Sequence, residues 1–233
     1  MRPLSQGTPR RSGERAARGA RAHRRPGRSR ATARTARLIG AIVAGGANSR
    51  FGGEPKGLRT VGGVRIIDRV AAALHAVTPS IILSANAPHA ESWLPGVRVI
   101  RDNASERGSL IGIHSALAAT HDDVLIVAWD MPFVDPALMK LIVERSEGAT
   151  AVVPMGPRGP EPMCAWYARE TRSLAADALQ RGEYRLGALL ERLPRLVTIP
   201  LAVVAKYGDP ARLFFNVNTA DDLAAAERMA RGE

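Results

Sequence analysis

A single cysteine, Cys164, stands in the chain, so no internal disulfide can form and the expected setting is a reducing cytoplasm. No histidine lies near it in sequence, and it reads as a small buried strand residue rather than a nucleophile. No apolar run reaches the ~18 residues of a membrane span. The pair Arg24-Arg25 is not followed by the apolar stretch that an export signal requires. There is no Gly-Lys-Ser/Thr, which excludes a P-loop, and no Gly-x-Gly-x-x-Gly opening into a helix, which excludes a dinucleotide fingerprint. His75, His114 and His121 have no metal-ligand spacing with one another and read as ordinary helix or loop residues. Internal repeats are absent.

The net charge of +11 suggests a nucleic-acid binder until it is divided along the chain. Residues 1–37 hold 12 arginines against one acid, Glu14, which leaves 21 basic and 21 acidic residues in the other 196. The basicity therefore belongs to an arm rich in Arg, Gly, Pro and Ser, which cannot bury enough surface to offset its ordering entropy. Disorder is expected there. It reads as a non-functional extension from an early translation start, a loose polyanion-binding arm, or a targeting segment. Residues 38–233 form the expected folded domain, and with 45% hydrophobic content the chain has material for one sizeable core. Nucleic acid is not an expected ligand of that neutral body.

From Leu38 the pattern changes. LIGAIVAGG is a continuous apolar, β-branched run stopped by glycines, as a strand covered on both faces requires. Ile67, Val70, Leu74 and Val77 recur at helical spacing before Thr78-Pro79. Strands are predicted over 80–86, 97–102 and 123–130, then over 149–153, 163–167 and 196–204. Helices are predicted over 109–119, 135–147, 172–180 and 186–193, and a capping box at Thr219–Asp222 precedes a last helix to Arg231. Strands alternating with helices give a mainly parallel sheet covered on both faces.

Such sheets bind ligands beyond the carboxyl ends of their strands. Those ends here are Gly45-Gly46, then Ser84-Ala85-Asn86, then Asp102, then Asp130. The segment Ala44 to Leu58, AGGANSRFGGEPKGL, offers glycines whose amides can face an anion, with Arg50 and Lys56 as cations. It reads as a phosphate cradle, or more plainly as a flexible turn with two surface cations. Asp130 ends an otherwise apolar strand, where an unpaired carboxylate is costly. A Mg²⁺ ion, a helix cap or an arginine would satisfy it, and Asp102 could share the metal or pair with Arg101 or Arg107.

The combination AGG-x₃-R-x-GG-x₂-KGL, a strand ending in DMPF, and NVNTADDL near the C-terminus resembles the molybdenum cofactor guanylyltransferase family over nearly all of residues 38–231. The resemblance implies a three-layer α/β/α, Rossmann-like nucleotidyltransferase domain with a mainly parallel, mixed central sheet. It implies that Val43, Ala44 and Gly45, with Gly46, contact the guanine nucleotide. Lys56 would touch its phosphates, Asp102 the nucleotide, and Asp130 the magnesium. Asn216 and Asn218 would lie near the second substrate or the metal, although a capped turn before the last helix accounts for them equally well. Two departures stand out: Ser84 replaces the family's usual Asn, and Gly108-Ser-Leu-Ile-Gly112 replaces Gly-Pro-Leu-Ala-Gly. The first bears on base or ribose contacts, the second on the loop facing the base.

The reaction so implied is attack by the phosphate of molybdopterin on the α-phosphorus of GTP, with Mg²⁺, giving the guanine dinucleotide cofactor and pyrophosphate. Asp130, Lys56 and Arg50 would align the two polyanions and neutralise charge. Transient contact with molybdoenzymes or cofactor-handling proteins would follow. The chief alternatives are a cytidylyl relative or a transferase acting on a sugar phosphate or other small phosphorylated acceptor. Ala44-Gly45-Gly46 and Lys56-Gly57-Leu58 argue mildly against the cytidylyl form, which typically carries Ala-Ala-Gly and Lys-Leu-Leu. A nucleotide-binding regulatory module is the non-enzymatic alternative. With 4% aromatic residues, few rings are available to stack on a pterin.

Overall fold

The computed structural model describes residues 38–45, 55–101 and 108–233. The arm, the glycine-rich stretch 46–54 and the stretch 102–107 lie outside them. A seven-strand path, with one further short strand attached at its side, forms the central sheet. Strand β1, Leu38–Ala44, lies in its middle. It pairs in parallel with β4, Ile81–Ala85, on one side and with β6, Asp123–Ala128, on the other. Beyond β4 lies parallel β5, Arg98–Ile100. Beyond β6 come β9, Cys164–Tyr167, then β7, Ala151–Gly156, then β10, Leu196–Ile199. Only β9 among these runs against its neighbours, so the sheet is mixed as expected. The ribbon β2, Thr60–Val61, with β3, Val64–Arg65, stands apart, and β8, Gly159–Pro160, hairpins onto β7.

Alternation along the central strands sorts the core into two layers. Leu38 and Ile42 of β1, with Leu125 and Val127 of β6, meet α1, Ile66–His75, and α3, Pro136–Glu144. Ala41, Val43, Val124 and Ile126 face α2, Ser109–Thr120, and beyond it α4, Thr171–Gln180, and α5, Leu186–Arg192. This is the three-layer arrangement. Two glycines let helices approach β1. A methyl group on Gly112 would lie 2.5 Å from Val43 Cγ1, and one on Gly40 would lie 2.9 Å from Ile81 and 3.2 Å from Leu74.

Most expected elements are present, with shifted ends. Asp135 caps α3 by accepting from the amides of Ala137 and Leu138, with Pro136 at the first helical position. The capping box forms as read: Thr219 and Asp222 exchange side-chain bonds at the start of α8, Ala220–Arg231. The expected strand over 196–204 is corrected. It stops at Ile199, because Pro200 has no amide to donate and its carbonyl instead accepts from Val203 and Val204, starting the short helix α6, Leu201–Val204. Helix α7, Pro210–Leu213, capped by Asp209, carried no apolar period to betray it. The strand expected to run to Asp130 ends at Ala128, although the Trp129 amide still donates to the Val43 carbonyl at 3.2 Å.

Candidate active site

The order β5-β4-β1-β6 places a switch point between β1 and β6: the chain leaves β1 toward β4 and β5, then returns to the opposite side for β6. At such a point the following loops part and open a crevice at the carboxyl ends. Val43, Ala44 and Gly45 stand at that end of β1, and Asp130 follows two residues after the end of β6. Gly45 is exposed where the chain leaves the sheet, while the Val43 side chain is buried against α2. Only the main chain of Val43 is therefore presented to the rim.

Three distant parts of the chain converge here. Lys56 opens a single 3-10 turn, Lys56–Leu58. Its ammonium donates to Oδ2 of Asp130 and, at 2.6 Å, to Oδ1 of Asn218. The pair is nearly dry, the Lys56 and Asp130 side chains keeping 12% and 9% of their exposure. Such a pair repays its desolvation only when the remaining polar atoms also find partners. Oδ1 of Asp130 is buried and finds none. The Asn218 segment is held from both ends. The Val217 amide donates to the Asp130 carbonyl at 2.9 Å, and the Asn218 and Thr219 amides donate to the Asp222 carboxylate at 2.9 and 2.8 Å.

The other expected site residues fare differently. Asn216 turns its side-chain amide back to the Phe214 carbonyl at 2.9 Å, so of the NVNT pair it is Asn218 that meets the lysine. Ser84 is buried inside β4, in register with Val43 and Ile100, one residue short of the strand end. Arg50, Gly46 and Asp102 lie outside the described residues. Cys164 is buried in β9, and burial pushes its thiol up to about 12, as suits a packing residue. Among the described residues no three His, Cys, Asp or Glu side chains cluster as a metal-binding group.

Sequence reasoning missed the support beneath the lysine. The turn carrying Lys56 lies on the face of Trp129, so that a methyl group on Gly57 would fall 2.8 Å from Cδ2 and 3.1 Å from Cζ3 of that indole. Trp93 stacks with the same indole, centroids 5.1 Å apart and planes 17° apart. The signals were a tryptophan just past a buried strand, beside a carboxylate, and a glycine directly after the candidate lysine.

On the β9 side the rim carries a hairpin. The Ala128 amide donates to the Met163 carbonyl at 2.8 Å, and Glu161 folds over Gly156, where burial raises its carboxyl pKa against the opposing pull of Arg158. Among the described residues no helix is long and apolar enough to cross a membrane.

Residues 40–197 match the model of the MobA-like NTP transferase domain. A molybdenum cofactor guanylyltransferase of Desulfosudis oleivorans is 34% identical over 193 residues, 82% of this chain and 94% of that protein. One of Cereibacter sphaeroides is 34% identical over 84% of this chain and 98% of its own length. Among solved structures, molybdopterin-guanine dinucleotide biosynthesis protein A from Archaeoglobus fulgidus superposes with a TM-score of 0.70 at 28% identity, covering 84% of this chain and 100% of that one.

Proposed function

The chain belongs to the MobA-like NTP transferase family, and from that premise we propose that it transfers GMP from GTP to the phosphate of a molybdopterin-type acceptor. An acceptor phosphate oxygen attacks the α-phosphorus, the bond from that phosphorus to the β-bridging oxygen breaks, and pyrophosphate leaves with the electron pair. The attacking group is already anionic at neutral pH, so alignment and charge neutralisation matter more than a base. The observation that carries the proposal is the meeting of Lys56, Asp130 and Asn218 at the switch point. It brings one cation and one carboxylate to the edge where phosphates would lie.

The buried, unpartnered Oδ1 of Asp130 suits a hard cation. A magnesium ion held there would supply positive charge to the phosphates of GTP. Lys56 adds a second positive charge, with the Asn218 side-chain oxygen accepting a hydrogen bond from it and so fixing its direction. Val43, Ala44, Gly45 and Gly46 would offer backbone to the nucleotide, Arg50 would neutralise phosphate charge, and Asp102 would accept from the nucleotide. Ser84 supports the strand end behind it, and Asn216 belongs to the loop that delivers Asn218. A lone thiol with no partner to oxidise with suits a reducing cytoplasm.

The test is incubation of the protein with GTP, Mg²⁺ and molybdopterin. Pyrophosphate and guanine dinucleotide should appear in equal amounts. Release with CTP in place of GTP would move the protein to the cytidylyl branch, and release only with a sugar phosphate would replace the acceptor.

A further inference from the structure

We propose that Trp129 is a positioning residue: backed by Trp93 and contacting Gly57, it sets the Lys56 ammonium against Asp130. The inference rests on the transfer reaction given above. Lys56 is covalently joined to Gly57, and Asp130 to Trp129, so the contact between Gly57 and the indole fixes where the roots of the two charged side chains stand. A lysine stem is flexible and gives no direction of its own. Direction has to come from its root, and the residue next to that root packs tightly against a rigid ring.

The stack is anchored at its far end as well. The Trp93 carbonyl accepts from Nη2 of Arg65 at 3.1 Å, and Arg65 makes two 2.7 Å bonds to Asp68 in the first turn of α1. The support thus runs from α1 through Trp93 and Trp129 to the lysine turn.

Simple core filling does not account for two features. Trp129 is 2% exposed and its indole Nε1 is buried with no acceptor, a cost that a leucine or phenylalanine would not bear. Gly57 is needed for closeness of approach, because any side chain there would enter the indole. Both are explained if the site needs a flat platform at a fixed height below Lys56.

A double-mutant cycle on the full chain tests this, with Gly57→Ala, Trp129→Leu, the two together, and the conservative Trp129→Phe. Each of the first two should lower kcat by about 10- to 100-fold with KM for GTP within about 3-fold, since a misplaced group costs orientation rather than binding. In the Trp129→Leu background, Gly57→Ala should cost less than about 3-fold more, because the ring it collides with has gone. Trp129→Phe should restore most of the rate. A second readout does not depend on turnover. The chain has three lysines, Lys56, Lys140 and Lys206. After reductive ¹³C-methylation, the Lys56 signal, assigned with Lys56→Arg, should move in each single variant and no further in the double. Losses that multiply, or a Lys56 signal that stays in place, would overturn the proposal. Should Trp129→Leu fail to fold, Gly57→Ala carries the test alone: its Lys56 signal should move and its kcat fall, and a signal and a rate that both stay at their wild-type values would overturn the proposal. A wild-type chain that transfers no nucleotide would defeat the functional proposal alone, since the lysine signal still judges the stack.

Discussion

The two halves of the sheet treat polarity in opposite ways. In the half built from β5, β4, β1 and β6, every strand runs the same direction, and the chain delivers its carboxyl ends to one edge. Lys56 and Asp130 meet there, nearly dry and bonded to each other and to Asn218. In the half built from β9, β7 and β10, the reversed strand β9 brings its start to that same edge. The hairpin before it carries Arg158 and Glu161 to the rim, while Cys164 and Tyr167 disappear into the core. A parallel sheet collects strand ends and loop starts, which suit phosphate and metal chemistry. An antiparallel insertion offers a side-chain wall instead. On the proposed reaction, the chemistry belongs to the first half, and packing with the far wall of the crevice to the second.

The sharpest way to break that division is Asp130→Ala. Turnover should fall by at least ~10²-fold, about 2.7 kcal/mol or more of transition-state stabilisation. Pyrophosphate release at a near-normal rate would remove Asp130 from the chemistry. Next in size is ligand stabilisation. GTP with Mg²⁺ at 100 times its dissociation constant should stabilise the fold by about 2.7 kcal/mol, a rise of roughly 5 to 11 °C in a domain of this size. Lys56→Met should shrink the rise. A shift with CTP and none with GTP would overturn the nucleotide assignment.

The second half should report on stability alone. Burial raises the Cys164 thiol to about 12, with Glu161 pushing the same way. A raised folded pKa favours the fold while the thiol stays protonated. Its contribution is complete below the unfolded thiol pKa and is lost as pH climbs from about 9 toward 12, at no more than ~1.4 kcal/mol per pH unit. Tyr167 ionises in the same direction. The comparison is therefore between wild type and Cys164→Ala, whose stability should fall less steeply above pH 9 in urea titrations. Equal slopes would show that the thiol is not held as described.

Much of the first half was legible in the sequence because its signals are local. An apolar run ending in a carboxylate, a glycine stretch with a lysine, and a threonine three residues before an aspartate each carry their meaning within a few residues. The order and direction of β7, β9 and β10 were not legible, since pairing across the sheet leaves little trace in short apolar runs. Pro200 misled the strand assignment because Leu196 to Val204 is apolar on both sides of it. Lys56 and Asp130 could each be proposed, but their bond joins residues 74 positions apart and only the fold makes it. The same holds for Trp93 and Trp129, whose stacking depends on where the 90–92 turn comes to rest.

The smallest effect tests how the C-terminal helix supports the first half. Thr219 caps α8 through the Asp222 amide at 3.1 Å, while the Asp222 carboxylate accepts from both Asn218 and Thr219. Thr219→Ala removes one capping bond and should cost about 1 kcal/mol, or about 2 to 4 °C in Tm. Turnover should hold, since the Asn218 amide keeps its bond to Asp222. Asp222→Ala should cost a similar amount of stability but also lower kcat several-fold, because it frees the backbone that aims Asn218 at Lys56. Matched stability losses with unmatched rates would identify the capping box as part of the lysine's setting. Matched rates would confine its role to the helix it begins.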